Sequence, residues 1–395
     1  MLRNFLAQCE AADELGYGTV WVAESHYSTE MQKLHREPVV PHWQGEIGLN
    51  TDICQLAPRV FARTRRLDVG SAILNIVCNG GPLAAAERVA MAVAWHGLDP
   101  EELRRLRIGF AAGRFDYINR LSGIGPRTEW ERAAWPQARG AVMWEASEIF
   151  VRLLTGEALS SDDVPELRLR AEHFRDPQLW LRVRDLAGAD GDELTVPRRW
   201  PFEVTKIVPT DIRRELLRLL LGSHDPALQV HLNRFAPVRV FNLSITQPHV
   251  IEATHERMRQ AYHPSGGPWR REYMPRTTFV FLNARAGLSP ERQRSAAREE
   301  AERVLAAYWQ AMDGTVDPAK VADAADNALV GNPADVAEQI LARFHPDDRL
   351  MLWFDFFNHD NDSVVESMAA MAREVVPRLA AAGIPVPAEL AGTRR

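Results

Sequence analysis

The sequence predicts an α/β barrel of the (β/α)₈ type. Three observations predict it. Apolar strands alternate with helices along the whole chain, which implies a parallel sheet with right-handed crossovers. The strands are seven, at 19–23, 67–74, 106–111, 217–221, 238–243, 277–282 and 350–354, one short of the barrel number. The competing open sheet needs a nucleotide fingerprint. Its nearest candidate, Gly123-Ile124-Gly125, lacks a third glycine and does not join a strand directly to a helix.

Each element has a local reason. Leu2, Phe5, Leu6, Cys9 and Ala12 recur at helical spacing, and Gly16 stops that helix. Thr19 to Ala23 is a continuous apolar strand of the kind buried on both faces. It ends on Glu24-Ser25-His26, at the side of a barrel where active sites sit. Residues 28–48 read as an irregular polar loop. Asn50 or Thr51 is expected to cap the next helix, whose apolar face is Ile53, Leu56, Val60 and Phe61. Pro82 suits the first turn of a third helix. A long helix is expected over 128–154, and residues 157–208 break the rhythm as an inserted excursion. Later helices follow at 226, 249–262, 290–311, 333–344 and 363–380, and a flexible tail is expected over 382–395. Because a helix comes first, the strand that should precede it is missing from this sequence. The expectation is a seven-stranded barrel with a gap, or another segment filling the place.

Composition bounds the function. The chain has 395 residues, 46% hydrophobic and 25% charged, with a net charge of −6, so it has no broad basic surface for nucleic acid. One barrel domain with an insertion fits that length. Three scattered cysteines, Cys9, Cys54 and Cys78, argue against a disulfide framework, and Cys9 lies on an apolar helix stripe. No apolar run has spanning length and no signal peptide is evident, so the expectation is a cytoplasmic protein without membrane contact.

Several segments carry a resemblance. AADELGYGTVWVAESHY, FARTRRLDVGSAIL, LRIGFAAGRF, LLLGSHDPAL and ALVGNPADVAEQI occur in order along the chain, followed by a last strand and EVVPRL. Together they resemble the bacterial luciferase-like monooxygenases, (β/α)₈ barrels that use reduced flavin and dioxygen or a deazaflavin. The resemblance covers nearly the whole chain except roughly 157–195. It implies oxygenation of a small organic substrate with reduced FMN and dioxygen, a separate flavin reductase and a homodimer. Two rivals stay open: deazaflavin-dependent hydride transfer on the same barrel, and a non-catalytic flavin-binding or partner subunit.

The resemblance also places site residues. Where the family commonly reads Glu-His-His, this chain has Glu24, Ser25 and His26, so Ser25 stands at the first histidine. His26 suits proton transfer, while Ser25 offers only a hydrogen bond. The bland alternative is a histidine that holds the 28–48 loop. Ala72–Ile73 matches a non-prolyl cis bond that supports the flavin ring, with Asn75 at the same strand end. Gly222-Ser223-His224 matches the flavin phosphate site, Ser223 being the matched residue, or else is a plain helix cap. Ala112 stands where the family often has arginine; Arg114 is the expected substitute, and Phe115 lines the ring pocket. Asp355, Asn358, His359 and Asp360 read as a polar rim and not as a metal site. Arg198-Arg199-Trp200 reads as a solvated loop or a grip on an acidic substrate. The excursion at 157–208 is expected to act as lid and substrate wall.

Overall fold

Parallel strands form the wall of a barrel in the computed structural model, which describes residues 1–48, 50–243, 246–311, 327–356 and 360–386. In chain order the strands are β1 (Thr19–Val22), β2 (Asp68–Asn75), β3 (Leu106–Ala111), β4 (Arg168–Arg170), β5 (Glu193–Thr195), β6 (Leu217–Leu221), β7 (Val238–Val240), β8 (Arg276–Leu282), β9 (Leu329–Gly331) and β10 (Leu350–Trp353). All seven expected strands are present, with ends shifted by at most a few residues. β9 is an addition. It is a three-residue strand that pairs only with the upper half of β8, too short for a periodicity to announce it.

The wall comes in two parts. β1, β2, β3, β6 and β7 pair in that order, and β8 pairs with β10 along one half and β9 along the other. The Thr277 hydroxyl donates to the Asn242 carbonyl across the join between the β7 and β8 sides. Among the described residues no strand pairs the facing edges of β1 and β10. Arg349 Nη2 reaches Thr19 Oγ1 at 3.3 Å there, and the Tyr17 hydroxyl donates to the Met368 carbonyl at 2.9 Å. Among the described residues the wall is open at this edge.

Alternation along the strands decides which side chains face the barrel interior. Trp21, Leu220, Phe241 and Met351 meet there, with Ala72 and Ile73 packed on them. Gly70 and Gly109 leave room for this layer, because a Cβ on Gly70 would run into the Trp21 ring and one on Gly109 into the Ser71 carbonyl. Helices cover the outside. Val89, Val93, Ile149, Phe150 and Leu153 are fully buried against the outward faces of β2 and β3. At about 1.5–3 kcal/mol for each such side chain, this layer supplies a large share of the driving force for folding.

Three expectations are corrected. The 128–154 helix is two helices, Glu129–Ala133 and Trp135–Leu154, broken at Ala134. Pro136 lacks the amide a helix interior requires, and it sits in the first turn of the second helix instead. The next cap is Asp52 and not Asn50 or Thr51, its carboxylate accepting from the Cys54 amide at 2.8 Å. Finally, Arg199 is not in a solvated loop.

The excursion folds onto the helix pair that precedes it. β4 and β5 pair antiparallel on either side of the helix Pro177–Ala187, and Leu169, Phe174, Trp180, Val183 and Leu194 pack with Ala134 and Ala138. Arg199 anchors its return. Its Nη2 donates to Glu131 at 2.8 Å with both side chains fully buried, while its amide and that of Trp200 donate to Glu145. Burial of Arg199 answers both sequence readings at that residue, since a buried, paired guanidinium is neither solvated nor free to grip a substrate.

Candidate active site

The strand ends open into a cleft of about 1910 Å³ that runs down between β1 and β10. The same cavity takes in Gly18, Arg349 and Leu379 along the open edge, so its volume is shared between the mouth and that edge. Glu24, Ser25 and His26 line it, as do Ala72, Ile73, Asn75, Arg114, Phe115 and Gly222. Nine residues singled out from the sequence are thus gathered at one mouth. Ala112, Ser223 and His224 are not among its lining residues.

Glu24 is the hub. β1 delivers it to the end of the barrel wall, where Oε1 contacts His26 Nε2 at 2.9 Å and accepts from the Asn75 amide at 3.3 Å. Oε2 is buried and has no partner among the described residues. Burial raises the Glu24 pKa. His26 is held well above the ordinary imidazole value, at about 10, first by the Cys78 sulfur and then by the Glu24 carboxylate. Near neutral pH the ring is therefore a cationic donor beside a carboxylate. The Tyr117 hydroxyl donates to the His26 carbonyl at 3.3 Å and fixes its backbone. Ser25 is buried, and its amide donates to the Asn50 carbonyl.

Asn75 ties the next shell together. Its side-chain oxygen accepts from the Val77 and Cys78 amides, and its Nδ2 donates to Asn119 at 2.8 Å. Asn119 in turn donates to the Ala112 carbonyl. Cys78 is the residue that sequence reasoning missed. It sits in an irregular turn after β2, and only folding brings it to a histidine 52 positions away. Cys9 behaves as expected: it is buried, which pushes its thiol up to about 12.

On the β2 side, the Ala72–Ile73 bond is cis, and the pairing of β2 with β3 shifts register between Ser71 and Leu74. A Cβ on Gly222 would meet Ile73 Cδ1 at 2.5 Å and Ala111 at 3.2 Å, so a side chain there would displace Ile73. Small side chains, one aromatic ring and an unbonded carboxylate oxygen suit a flat heteroaromatic ring with polar edges, so the residues present fit a flavin.

The phosphate expectation at the β6 end meets an obstacle. The helix Pro226–Leu232 is capped by Asp225, whose carboxylate accepts from the Ala227 and Leu228 amides and from Trp144 Nε1. Those amides are spent, and an anion there would face a carboxylate. The Ser223 hydroxyl accepts from the Asp225 amide at 3.2 Å, and His224 Nε2 lies 3.0 Å from Thr246 Oγ1. Arg114 and Arg139 are among the arginines lining the cleft, and Arg139 is paired with Asp116 at 2.6 Å. None of residues 157–208 lines the cleft. Asn358 and His359 lie outside the described residues. Among those that are described, no cluster of three or more His, Cys, Asp or Glu is arranged for a metal, and no helix is long and apolar enough to cross a membrane.

A parallel α/β barrel with a largely apolar cleft that carries charged groups at its strand ends defines the class. The chain belongs to the luciferase-like monooxygenase family, whose model matches residues 1–346. Among solved structures it is similar to the monooxygenase RslO1 from Streptomyces bottropensis, at 20% identity over 95% of this chain and 93% of that one, with a TM-score of 0.62. It is also similar to the oxygenating constituent of 3,6-diketocamphane monooxygenase from the CAM plasmid of Pseudomonas putida, solved with FMN, at 13% identity, 98% and 95% coverage and a TM-score of 0.55. An F420-dependent secondary alcohol dehydrogenase solved with an F420-acetone adduct matches at 13% identity, 95% and 94% coverage and a TM-score of 0.53. These likenesses establish the shared fold. No curated protein matches significantly.

Proposed function

We propose that the protein is a flavin-dependent monooxygenase that uses reduced FMN and dioxygen to oxygenate a small organic substrate. The observation that carries this reading is the buried Glu24–His26 pair, which faces the cleft at the strand ends. Reduced flavin, when bound, supplies the oxygen-activating chemistry. The chain supplies the surroundings. Ala72, Ile73, Phe115 and Gly222 form an apolar wall for a ring and keep water from one face. His26, protonated near neutral pH, donates a hydrogen bond or a proton to oxygen as negative charge develops on it. Glu24 Oε1 holds the imidazolium, and Oε2 remains to accept from a ring N–H or a substrate hydroxyl. Arg114 offers a charge for the cofactor phosphate in place of the arginine that Ala112 lacks.

Family membership and the FMN-bound neighbour support this reading, and the F420-bound neighbour supports the deazaflavin alternative. Titration with FMN and with the deazaflavin, followed by oxygen uptake with a reductase present, tests it. Tight FMN binding with substrate-dependent oxygen consumption is expected. Exclusive deazaflavin binding without oxygen uptake would replace it with hydride transfer. A partner reductase and a homodimer belong to the same proposal, and sedimentation of the purified protein checks the second.

A further inference from the structure

One step below the Trp21–Leu220–Phe241–Met351 layer, toward the N-terminal ends of the strands, alternation places six more residues on the barrel interior: Thr19, Asp68, Arg107, Arg218, Arg239 and Arg349. Arg107 and Arg218 are register partners on neighbouring strands, and Arg239 lies on the next strand opposite Leu220. Among the described residues, four guanidiniums therefore share the floor with one carboxylate. Asp68 is committed to Arg107, at 2.7 Å to Nη2 and 2.8 Å to Nε. Among the described residues, the other three arginines have only neutral partners. Arg218 donates to the Glu215 and Leu217 carbonyls, both on its own segment. Arg239 lies 3.7 Å above the Tyr273 ring, and its Nε is buried without a hydrogen bond. Arg349 reaches Thr19 Oγ1.

The flanking acids are engaged elsewhere, Glu215 by Arg213 and Asp348 by Arg271 and Arg276. Burial, with Arg349 and Arg239 adding to it, presses the Arg107 pKa down to about 10 even though Asp68 pulls the other way. Arg218 is lowered by burial and then by Arg239 and Arg105. Like charges gathered at a half-buried floor repel one another unless an anion joins them.

We propose that this floor binds a tetrahedral oxyanion of the phosphate or sulfate class, held by Arg218, Arg239 and Arg349, with Arg107 fixed beside them by Asp68. A tetrahedral anion presents several acceptors at once, matching guanidinium forks that approach from three strands. The site is separate from the mouth, because the Trp21–Phe241 layer lies between them. Arg349 and Thr19 also line the lower cleft, which gives the anion a way in.

The test uses the purified chain without flavin, so it stands or falls apart from the monooxygenase reading. Thermal unfolding and calorimetric titration are run with sodium phosphate and sodium sulfate against sodium chloride at matched ionic strength. Phosphate or sulfate is expected to raise Tm in a saturable way while chloride does not. Arg218→Gln and Arg239→Gln, on different strands, are each expected to weaken phosphate binding roughly tenfold or more, the effect of one lost charge-assisted bond. Arg292→Gln, exposed on the outer helix Pro290–Ala311, should leave it unchanged. Phosphate no better than chloride in the wild-type protein would overturn the proposal. So would wild-type affinity in both floor variants, which would mean an adventitious ion only.

Discussion

Glu24 and Glu131 are both buried against a nitrogen cation, His26 at 2.9 Å and Arg199 at 2.8 Å. Around Glu131 everything is closed. Both side chains are fully buried, Arg199 also stands 6.0 Å from the Trp135 ring, and the contact fastens the excursion to the helix beneath it. Around Glu24 the pair faces a cleft, one carboxylate oxygen is unbonded, and a thiol approaches the histidine. Burial of a charge pair is therefore not what marks chemistry in this fold. Access from the cleft and an unspent acceptor are what separate the two.

The sharpest way to break the comparison is Arg199→Met. It leaves Glu131 buried and unpaired, with an expected loss of about 3–5 kcal/mol in denaturant unfolding. Adding Glu131→Leu should recover most of that loss, since an apolar pair of similar volume removes the stranded charge. Turnover per folded molecule should stay unchanged in the double variant. A double variant as unstable as the single one would mean the site needs its polarity.

His26→Ala is the counterpart at the mouth. Turnover should fall by roughly 10²-fold or more with flavin binding retained, the usual cost of a lost acid–base group. Equal turnover in the variant would show that the mouth pair is as structural as the other. A smaller effect lies in pH. His26 is raised from 6.5 to about 10, so the stability it contributes is fully present below about 6.5 and disappears as pH climbs through 10. The Tm difference between wild type and His26→Gln should accordingly be widest at low pH and close toward pH 10. A constant difference would remove the ion pair from the account.

The smallest effect tests a place remote from both pairs. Asn332 caps the helix Pro333–Arg343, accepting from the Ala334 and Asp335 amides, and Asp335 returns a bond to the Asn332 amide. Asn332→Ala should cost about 1 kcal/mol in unfolding free energy and leave turnover alone.

Much of the wall was legible because its signals are local. A run such as Thr19-Val20-Trp21-Val22 is apolar enough to be a strand wherever it lies, and Pro226 or Asn332-Pro333 marks a helix start without reference to neighbours. The Glu24–His26 pair was readable for the same reason, since two residues apart at a strand end can meet without help from the rest of the chain. Where the reading failed, the deciding partner was distant. Arg199 looked solvated until Glu131, 68 residues away, was packed against it. Ser223 looked free to hold a phosphate until Asp225, bonded to Trp144, capped the helix amides.

The sequence by itself determined the alternation of strands and helices and the polar cluster that closes the first strand, because spacing and residue type act over a few positions. Only the tertiary structure decided which charges are sealed, which face the cleft, and that four arginines from separate strands face the floor. Burial, pairing and repulsion belong to neighbours in space, and the barrel draws those neighbours from the whole length of the chain.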